Sequence, residues 1–509
     1  MRFVLFASAA FCALAGVASG ERPLICYWES WSVYRALPYK GNASDLPVDK
    51  CNHIVYAFLG LDWSTYKVRY LDPWQDIDSG TIGKFVALKK VRPDLRVSFA
   101  IGGWNEGSEH YSKMASTASG RATFAASVAS VITTHGFDGV DLDWEYPAMR
   151  GGDPTVDKAN FVLLLQAVRK AIGNKKLLTV AVSANANSLD SSYDVPEIAK
   201  VVNYIHVMSY DLRGPWESTV DNHVLLHGRK SDSGGKALLN VADALSAWRS
   251  RGAPPNKLIM GFAFYGKSFT LTDPRKATIG SPAKGPGQRG PISQAEGTLF
   301  YFEICKLLLT NDDFSYVWDS EGKVPYAFGG DQWVGFDDEK SIKLKVDLIK
   351  SAGYAGAMVW AVGQDDSAGQ CVGKINYPLL TALNNYLNEN EELSSSSNPI
   401  SDTASDRTIT VDNSITRQNS TEPDLETTVK SISTTVVSTT KTTLPPLRCE
   451  SPTYPHTMFC QKFFICDNVG PIRMIELSCP AGLVFNEDLG VCDWNFNTHP
   501  APVGCPDFV

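Results

Sequence analysis

The sequence predicts an α/β protein whose main domain is a (β/α)8 barrel with an inserted α+β subdomain, followed by a small disulfide-rich β domain. Three observations lead to this fold class. Eight apolar, strand-like runs lie between residues 22 and 388. Longer amphipathic segments separate several of them, and this alternation predicts a parallel sheet covered by helices. The last part of the chain is short and rich in Cys, as in a domain whose core is too small to be stable alone.

Residues 1–20 have the features of a secretory signal. Arg2 precedes an apolar stretch, and Ala18-Ser-Gly20 provides the small residues of a cleavage site before Glu21. A membrane anchor is the alternative, but the apolar stretch is shorter than the roughly 18 residues that a span requires. We therefore expect a secreted, extracellular chain with no membrane partner.

The barrel domain is expected over residues 21–390. Its apolar runs are Pro23–Trp28, His53–Leu59, Leu95–Gly102, Gly136–Glu145, Leu177–Ser183, Asn203–Tyr210, Leu258–Tyr265 and Tyr354–Val362. Helical segments between them include Thr123–His135, Ala159–Ile172, Ala237–Arg251 and Lys340–Ala352. The stretch 266–337 is too long for a plain connection, so we expect an inserted subdomain beside the barrel mouth.

The composition changes abruptly near residue 390. Between Ser394 and Pro445, 24 of 52 residues are Ser or Thr, with no aromatic residue and no Cys. Such a stretch buries too little apolar surface to offset the entropy of ordering it. We expect a disordered, O-glycosylated linker over 391–447 and a separate domain over 448–509.

Charge and aromatic content narrow the class of function. The net charge of −8 provides no basic field to attract a nucleic acid. The 12 Trp, 19 Tyr and 23 Phe supply many flat apolar faces of the kind on which sugar rings stack. We expect a monomer that binds no nucleic acid and needs no cofactor.

The 11 cysteines predict disulfides. Cys12 lies in the signal, and an even number remains, which is typical of a secreted chain. The four in the barrel domain allow three connectivities and the six in the last domain allow 15. A zinc site is disfavoured because no Cys-x-x-Cys pair accompanies a His pair, and we expect no metal. Asn42 and Asn419 begin glycosylation triplets and are candidate glycan acceptors.

The most informative segment carries three acids at alternate positions. In a strand over 137–145, Asp141, Asp143 and Glu145 share one face, while Val140, Leu142 and Trp144 share the other. Acids that point into a barrel are costly to bury, and folding does not require them. Glu145 comes last, at the carboxyl end of the strand, where barrel active sites form.

A solvated edge strand and a cation site are the two alternative interpretations of these acids. A solvated edge strand conflicts with the apolar residues between the acids. A site of hard oxygen ligands for a cation lacks further acids or His on the other strands. Crowded carboxylates cannot all ionise cheaply, so at least one remains protonated near neutral pH. The run therefore indicates acid–base catalysis, with Glu145 as a general acid.

The segment Asp138 to Glu145, D-G-V-D-L-D-W-E, resembles the signature of the family 18 glycoside hydrolases, the chitinases. The resemblance extends to the segments 98–105, 208–216, 261–269 and 356–360, which are similar to the family's third-, sixth-, seventh- and eighth-strand motifs. One departure is Lys267, where relatives often carry Arg. Lys keeps the charge but loses the bidentate fork, which puts a sugar contact in doubt.

The resemblance implies a substrate-assisted mechanism. Glu145 would protonate the glycosidic oxygen, and the acetamide oxygen of the substrate would attack the anomeric carbon. Asp143 would orient the acetamide and share a proton with Asp141, and Tyr210 would donate to the acetamide carbonyl. Asp211 would hold the distorted sugar. Glu145 would then activate water, so that the anomeric configuration is retained.

The resemblance also implies a substrate cleft rich in aromatic side chains, with Trp360 as the floor of the −1 subsite. Core packing is the alternative for any single Trp, and we expect it for Trp144 and Trp248. The predicted substrate-binding residues are Trp31, Phe58, Trp74, Gly102, Gly103, Trp104, Asn105, Tyr146, Met208, Ser209, Asp211, Trp216, Tyr265 and Trp360. In the family, Cys26 pairs with Cys51 and Cys305 with Cys371.

The last domain resembles the peritrophin-A type of chitin-binding domain. The resemblance rests on the segments 460–466, 479–486 and 492–494. It implies the pairs Cys449–Cys466, Cys460–Cys505 and Cys479–Cys492, and a sugar platform formed by Trp494 with Tyr454, Phe463 or Phe464. Each of these aromatic residues is as readily explained by core packing in so small a domain.

Together the resemblances imply a secreted endo-chitinase whose partners are chitin and chitooligosaccharides. A non-catalytic chitin lectin on the same barrel is one alternative, but such relatives usually lack the terminal acid of the signature. A structural chitin cross-linker would use the last domain and leave the cleft unexplained. An endo-β-N-acetylglucosaminidase acting on glycoproteins would have no use for a chitin-binding domain.

Overall fold

The computed structural model describes residues 22–389 and, in the C-terminal domain, the backbone of five short strands. The chain divides into two compact units, Met1–Glu389 and Asn390–Val509. The predicted signal, the linker, Asn419 and the pairing of the six C-terminal cysteines lie outside the described residues. The limits given above for these segments stay predictions.

Residues 22–389 contain fifteen strands and ten α-helices. The strands are β1 Leu24–Glu29, β2 His53–Asp62, β3 Lys67–Tyr70, β4 Arg96–Gly102, β5 Gly139–Asp143, β6 Leu177–Ser183, β7 Tyr204–Met208, β8 Leu258–Ala263, β9 Tyr265–Leu271, β10 Ala283–Pro286, β11 Thr298–Phe300, β12 Ser315–Asp319, β13 Val324–Gly329, β14 Gln332–Gly335 and β15 Gly356–Trp360. The helices are α1 Thr81–Val86, α2 Glu109–Ser116, α3 Ala118–His135, α4 Asp157–Ile172, α5 Leu189–Ser192, α6 Val195–Val201, α7 Val241–Ser250, α8 Tyr301–Thr310, α9 Glu339–Ala352 and α10 Pro378–Asn388.

Eight of the strands form a closed parallel barrel, which confirms the predicted fold class. The order around the barrel is β1, β2, β4, β5, β6, β7, β8 and β15, and β15 pairs again with β1. Each of the eight predicted runs overlaps one of these strands, although β1 and β2 extend beyond their runs, to Glu29 and Asp62. Closure satisfies the backbone hydrogen bonds of both edges, so the barrel is left without an open edge strand.

The alternation of side chains along each strand separates two cores. Outward residues such as Trp28, Phe99 and Leu142 pack with the helices in the largest apolar cluster. Inward residues such as Ile25, Val55 and Met358 form a smaller cluster inside the barrel. Because the strands are buried on both faces, their sequences are apolar throughout, and the inward polar residues stand out.

The insertion lies between β8 and β15, as expected. An antiparallel sheet of β10, β9, β14, β13 and β12, with β11 also paired to β9, packs with α8. Its first strand starts at Tyr265, so the chain enters the subdomain directly from the barrel wall. This placement puts the insertion beside the carboxyl ends of the barrel strands, where catalytic residues are found in this fold.

Two disulfides are present in the barrel unit, and they are the pairs that the family resemblance implies. Cys26 joins Cys51, and Cys305 of α8 joins Cys371 after β15. The second bond ties the insertion to the last barrel connection. Among residues 22–389 and the five C-terminal strands, no helix is long and apolar enough to span a membrane.

The C-terminal domain contains two small antiparallel sheets. Strands β16 Thr453–Pro455, β17 Lys462–Asp467 and β18 Arg473–Ser478 form one, and β19 Leu483–Asn486 pairs with β20 Val491–Trp494 in the other. All of the predicted platform positions lie on these strands: Tyr454 on β16, Phe463 and Phe464 on β17, and Trp494 on β20.

Candidate active site

The acid run lies where the sequence predicted, at the carboxyl end of β5. Asp141 and Asp143 are on the strand, and Glu145 follows two residues later. Their exposed fractions rise toward the mouth, from 0% for Asp141 to 4% for Asp143 and 8% for Glu145. The three side chains thus form a line from the barrel interior to its opening.

Asp141 is held by side chains of two other barrel strands, one across the barrel interior and one adjacent. Tyr27 of β1 donates to Asp141 Oδ2 over 2.8 Å, and Thr179 of β6 donates to Oδ1 over 2.5 Å. His206 Nδ1 of β7 lies 2.8 Å from the Tyr27 hydroxyl. Burial raises the pKa of Asp141 to about 6, although these two hydrogen bonds lower it.

Asp143 and Glu145 lie in a strongly desolvated environment. Burial and the charges of Glu145 and Asp141 raise the pKa of Asp143 well above its usual range. Burial raises the pKa of Glu145 to about 7, and a hydrogen bond with Tyr146 and the charge of Arg150 oppose this rise. A carboxyl with a pKa of about 7 is about half protonated at neutral pH, so it can donate a proton there.

Asp211, in the segment after β7, has the opposite electrostatic character. Partial desolvation raises the pKa of this carboxyl, whose side chain is 43% exposed, but the Lys267 ammonium 3.3 Å from Oδ2, together with His223 and Tyr265, outweighs that effect and holds the pKa well below its usual range. The Tyr265 hydroxyl donates to Asp211 Oδ1 over 2.7 Å. Lys267, which stands where relatives often carry Arg, therefore still forms an ion pair with Asp211, the carboxylate predicted to hold the sugar.

Aromatic side chains gather at the carboxyl ends of the strands. The Trp360 ring lies 5.4 Å from that of Phe58, 5.8 Å from that of Tyr27 and 6.2 Å from that of Trp31, measured between centroids. Trp31, Trp74, Trp104 and Trp216 are 43–63% exposed. Exposed indoles of this kind, around a buried acid, form a surface suited to flat apolar ligand faces.

The remaining predicted side chains of the cleft, including Met208, lie deeper. Tyr146, Tyr210 and Met208 pack in the inner cluster with Phe58 and Trp360. The Tyr210 and Tyr265 rings meet edge to face at 6.2 Å. Trp144 and Trp248 are buried in the outer core, as predicted.

Gly102, the last residue of β4, and Gly103 after it bring the backbone close to the acids. A Cβ on Gly102 would lie 2.1 Å from the carbonyl oxygen of Asp143, and one on Gly103 would lie 2.9 Å from the Phe58 ring. Gly103 N–H donates to the Asp143 carbonyl over 2.9 Å. Both glycines serve backbone approach, while the neighbouring Asn105 is exposed at the mouth.

Ser209 differs from its predicted role in binding substrate. It is fully buried, and its hydroxyl donates to the Gly261 carbonyl and accepts from the Gly261 N–H, each over 2.9 Å. Both hydrogen bonds join the end of β7 to β8. The side chain is therefore engaged in holding two strands together and does not line the mouth.

Three residues that hold the acid run in place were not predicted from the sequence: Tyr27, Thr179 and Arg150. In the parallel register of β5 and β6, Asp141 is the partner of Thr179, so strand alignment could have found that hydrogen bond. Arg150 donates to the Glu145 carbonyl over 2.9 Å, and its guanidinium lies 3.6 Å from the centre of the Trp104 ring. No motif marks Arg150, because its position depends on the turn after β5.

Within residues 22–389 and the five C-terminal strands, no cluster of three or more His, Cys, Asp or Glu is arranged to hold a metal ion. The site combines two buried carboxyls with raised pKa values, Asp143 and Glu145, with the carboxyl of Asp211, whose pKa is lowered, and with exposed indoles.

Relatives of known name match the barrel unit. An endochitinase of Manduca sexta is 39% identical over 398 residues, which is 76% of this chain and 71% of that protein. The crystal structure of Ostrinia furnacalis Group IV chitinase in complex with allosamidin is 38% identical, with a TM-score of 0.70 over 72% of this chain and 98% of that one. Human YKL-39, described as a pseudo-chitinase with retained chitooligosaccharide binding, is 32% identical, with a TM-score of 0.67 over 72% and 100%.

Family models match both units of the chain. Residues 449–505 match the chitin binding Peritrophin-A domain. Residues 23–365 match the glycosyl hydrolases family 18, and this segment includes the eight barrel strands, the acid run and all of the predicted substrate-binding residues. Since the match covers well over half of the sequence, the chain belongs to glycosyl hydrolase family 18.

Proposed function

We propose that this chain is a secreted, retaining endo-chitinase that hydrolyses β-1,4 links between N-acetylglucosamine units, with a tethered chitin-binding module. The observation that carries the proposal is Glu145: a buried carboxyl at the barrel mouth whose pKa is raised to about 7. The names of the Manduca and Ostrinia relatives support chitin as the substrate.

Glu145 acts first as the general acid toward the glycosidic oxygen. With a pKa of about 7, about half of the Glu145 carboxyls carry a proton at neutral pH, and the open side of the cleft admits the polymer. After the leaving group departs, the same carboxylate takes a proton from the incoming water.

The nucleophile is the acetamide oxygen of the substrate. The carboxylates near Glu145 are poorly suited to attack, since Asp143 is kept neutral by burial and by its neighbours. Asp211 is ionised, but Tyr265 and Lys267 engage its oxygens. An internal nucleophile retains the anomeric configuration through two inversions, which is the substrate-assisted exception among glycosidases.

Asp143 orients the acetamide and Asp141 supports Asp143. Asp143 Oδ1 is buried without a hydrogen-bond partner among the described residues. An unpaired buried acceptor is costly, and the acetamide N–H of a bound sugar supplies the missing donor. Tyr210 and Asp211 hold the sugar from the other side, and Trp31, Trp74, Trp104, Trp216 and Trp360 stack on successive rings.

Secretion is supported by the signal-like residues 1–20 and by the two barrel disulfides, because such bonds persist in oxidising compartments. Protein recovered from the culture medium of expressing cells is expected to begin at Glu21 by N-terminal sequencing. Asn42 is exposed and is proposed as one glycan acceptor.

The test of the catalytic proposal is Glu145→Gln, which keeps the shape of the side chain and removes its acidity. We expect turnover of a chromogenic N-acetylglucosamine oligomer to fall by at least about 100-fold, while binding of the unlabelled oligomer persists. Glu197→Gln is the matched control: it makes the same change on exposed α6 and should retain wild-type turnover.

Two results would contradict the proposal. Near-wild-type turnover of Glu145→Gln means that another group is the acid. An absence of hydrolysis by the wild-type protein at every pH from 4 to 10, with oligomer binding intact, favours a chitin lectin like YKL-39. The anomeric form of fresh products by NMR, compared with cleavage of fully deacetylated polymer, tests retention and the acetamide nucleophile.

A further inference from the structure

The hairpin of β2 and β3 extends beyond the rim of the barrel. β2 pairs with β1 as far as Ala57 and with β4 as far as Leu59, and its last residues pair only with β3. Trp63 is the first residue of the turn at the tip. Five residues of extended chain place it roughly 17 Å from Phe58, a residue of the aromatic cleft.

The indole of Trp63 is fixed in place with one face open. It is 61% exposed. Its other face stacks on the imidazole of His110 in α2, with ring centroids 5.6 Å apart and an angle of 21° between planes. The turn is stiffened by the Asp62 carboxylate, which accepts from Ser64 N–H over 2.9 Å and from Thr65 Oγ1 over 2.8 Å.

Glu106 joins this hairpin to the loop that carries Trp104. Its carboxylate accepts from Leu61 N–H over 2.7 Å, from Arg69 over 2.8 Å and from Tyr111 over 3.1 Å. Trp104 is two residues before Glu106, and Trp63 is two residues after Leu61. The two indoles therefore belong to one rigid lip of the barrel mouth.

The two indoles have similar surroundings. Trp104 has one face against the Arg150 guanidinium at 3.6 Å and is 59% exposed. Trp63 has one face against His110 and is exposed to the same degree. Each ring is thus held rigidly from behind and presents one flat apolar face to water.

We propose that Trp63, supported by His110, is a further sugar-binding platform that extends the substrate groove past Trp104 and binds an additional N-acetylglucosamine unit of a chitin chain. The inference rests on the proposed function. A single indole among polar neighbours matches one pyranose face rimmed by hydroxyl groups. A protein partner requires an apolar patch of several hundred Å², and the polar side chains of Asp62, Ser64 and Thr65 interrupt any such patch here.

The test measures oligomer affinity in the Glu145→Gln protein, full-length and otherwise unchanged, by isothermal titration with the N-acetylglucosamine hexamer and trimer. Adding Trp63→Ala is expected to weaken hexamer binding about fivefold more than trimer binding, a loss typical of one aromatic contact. Trp63→Phe keeps a flat ring and should restore most of the difference, whereas Trp63→Leu keeps apolar volume and should not.

The matched control is Trp318→Ala. Trp318 lies on β12 of the insertion and also has a cation, Lys340, over its ring at 3.8 Å. Its removal should leave the ratio of hexamer to trimer affinity unchanged.

Three outcomes would overturn the inference: an unchanged hexamer affinity in Trp63→Ala, equal losses for hexamer and trimer, or full rescue by Leu. A wild-type protein that hydrolyses the short oligomer normally, with any of these outcomes, refutes the platform alone. A wild-type protein that hydrolyses nothing refutes the proposed function instead.

Discussion

At the scale of single residues, the reactivity of Glu145 is set by opposing influences. Burial raises its pKa and the charge of Asp211 adds to the rise, while Tyr146 and Arg150 lower it. The balance leaves the pKa at about 7. A general acid must be protonated to act, so turnover is expected to decline as the pH rises through 7.

Replacing Arg150 by Gln is expected to move this decline to higher pH. Loss of the cation removes an influence that lowers the pKa of Glu145, so the acid holds its proton longer as the pH rises. The measurement is the pH profile of kcat on a soluble oligomer between pH 5 and 10. Because Trp104 also loses its support, KM should rise as well.

Lys170→Gln is the control for this charge change, since Lys170 is exposed on α4, away from the acid run. It should leave the profile unchanged. A decline at the same or a lower pH in Arg150→Gln would show that the cation does not govern the acid.

The placement of the three acids could be predicted from the sequence, whereas a supporting contact such as that of Tyr27 could not. Alternation along one strand places Asp141, Asp143 and Glu145 on one face without any knowledge of the fold. Tyr27 reaches Asp141 across 114 sequence positions, and that contact exists only because the barrel closes. Ser209 was predicted to bind substrate because its motif lies at a strand end. Its hydroxyl instead bonds to Gly261 of β8 within the barrel wall.

At the scale of elements, the approach of β4 to β5 is the tightest contact at the site. Gly102 has φ of +118°, a conformation that side chains rarely adopt, and its Cα faces the Asp143 carbonyl directly. Any Cβ at this position meets main-chain atoms, which cannot move aside without displacing the strand that bears the acids.

Gly102→Ala is therefore expected to lower the free energy of unfolding of the barrel unit by at least about 2 kcal/mol and to reduce turnover. Urea unfolding followed by Trp fluorescence measures the first effect. Gly83→Ala is the matched control: Gly83 lies exposed in α1 with open space around it, so the same change should stabilise the protein by about 0.5–1 kcal/mol. Equal effects at both sites would disprove the close-approach argument.

The eight barrel strands could be predicted because each is a continuous apolar run, and the insertion because its length exceeds that of a connection. The hairpin strand β3 was not predicted. It has only four residues, from Lys67 to Tyr70, and its alternating exposure resembles that of a polar loop. Its existence depends on β2 running past the rim, which no local pattern reveals.

At the scale of the whole molecule, the chain combines a barrel domain that carries the candidate active site with a separate domain that matches a chitin-binding family. A binding domain tethered to an enzyme raises the effective concentration of that enzyme on an insoluble polymer. It adds nothing once the substrate is freely dissolved.

Deleting residues 449–509 is expected to reduce the rate of hydrolysis of insoluble chitin by about tenfold or more, and to leave kcat/KM on soluble oligomers within the error of wild type. Reducing-sugar release from chitin powder and chromogenic assays measure the two rates. Equal losses on both substrates would mean that the deletion damages the barrel and that the tether argument is wrong.

Closure of the barrel by its first strand has a consequence for biosynthesis. β1 pairs with β15, where Leu24 is opposite Ala357, as well as with β2, the strand that follows it in sequence. At about 5–20 residues per second on the ribosome, roughly 20 to 70 s pass between the synthesis of these two partners. During that interval one edge of β1 is unpaired. A nascent chain that stalls before Gly356 therefore exposes an aggregation-prone strand and is expected to bind chaperones.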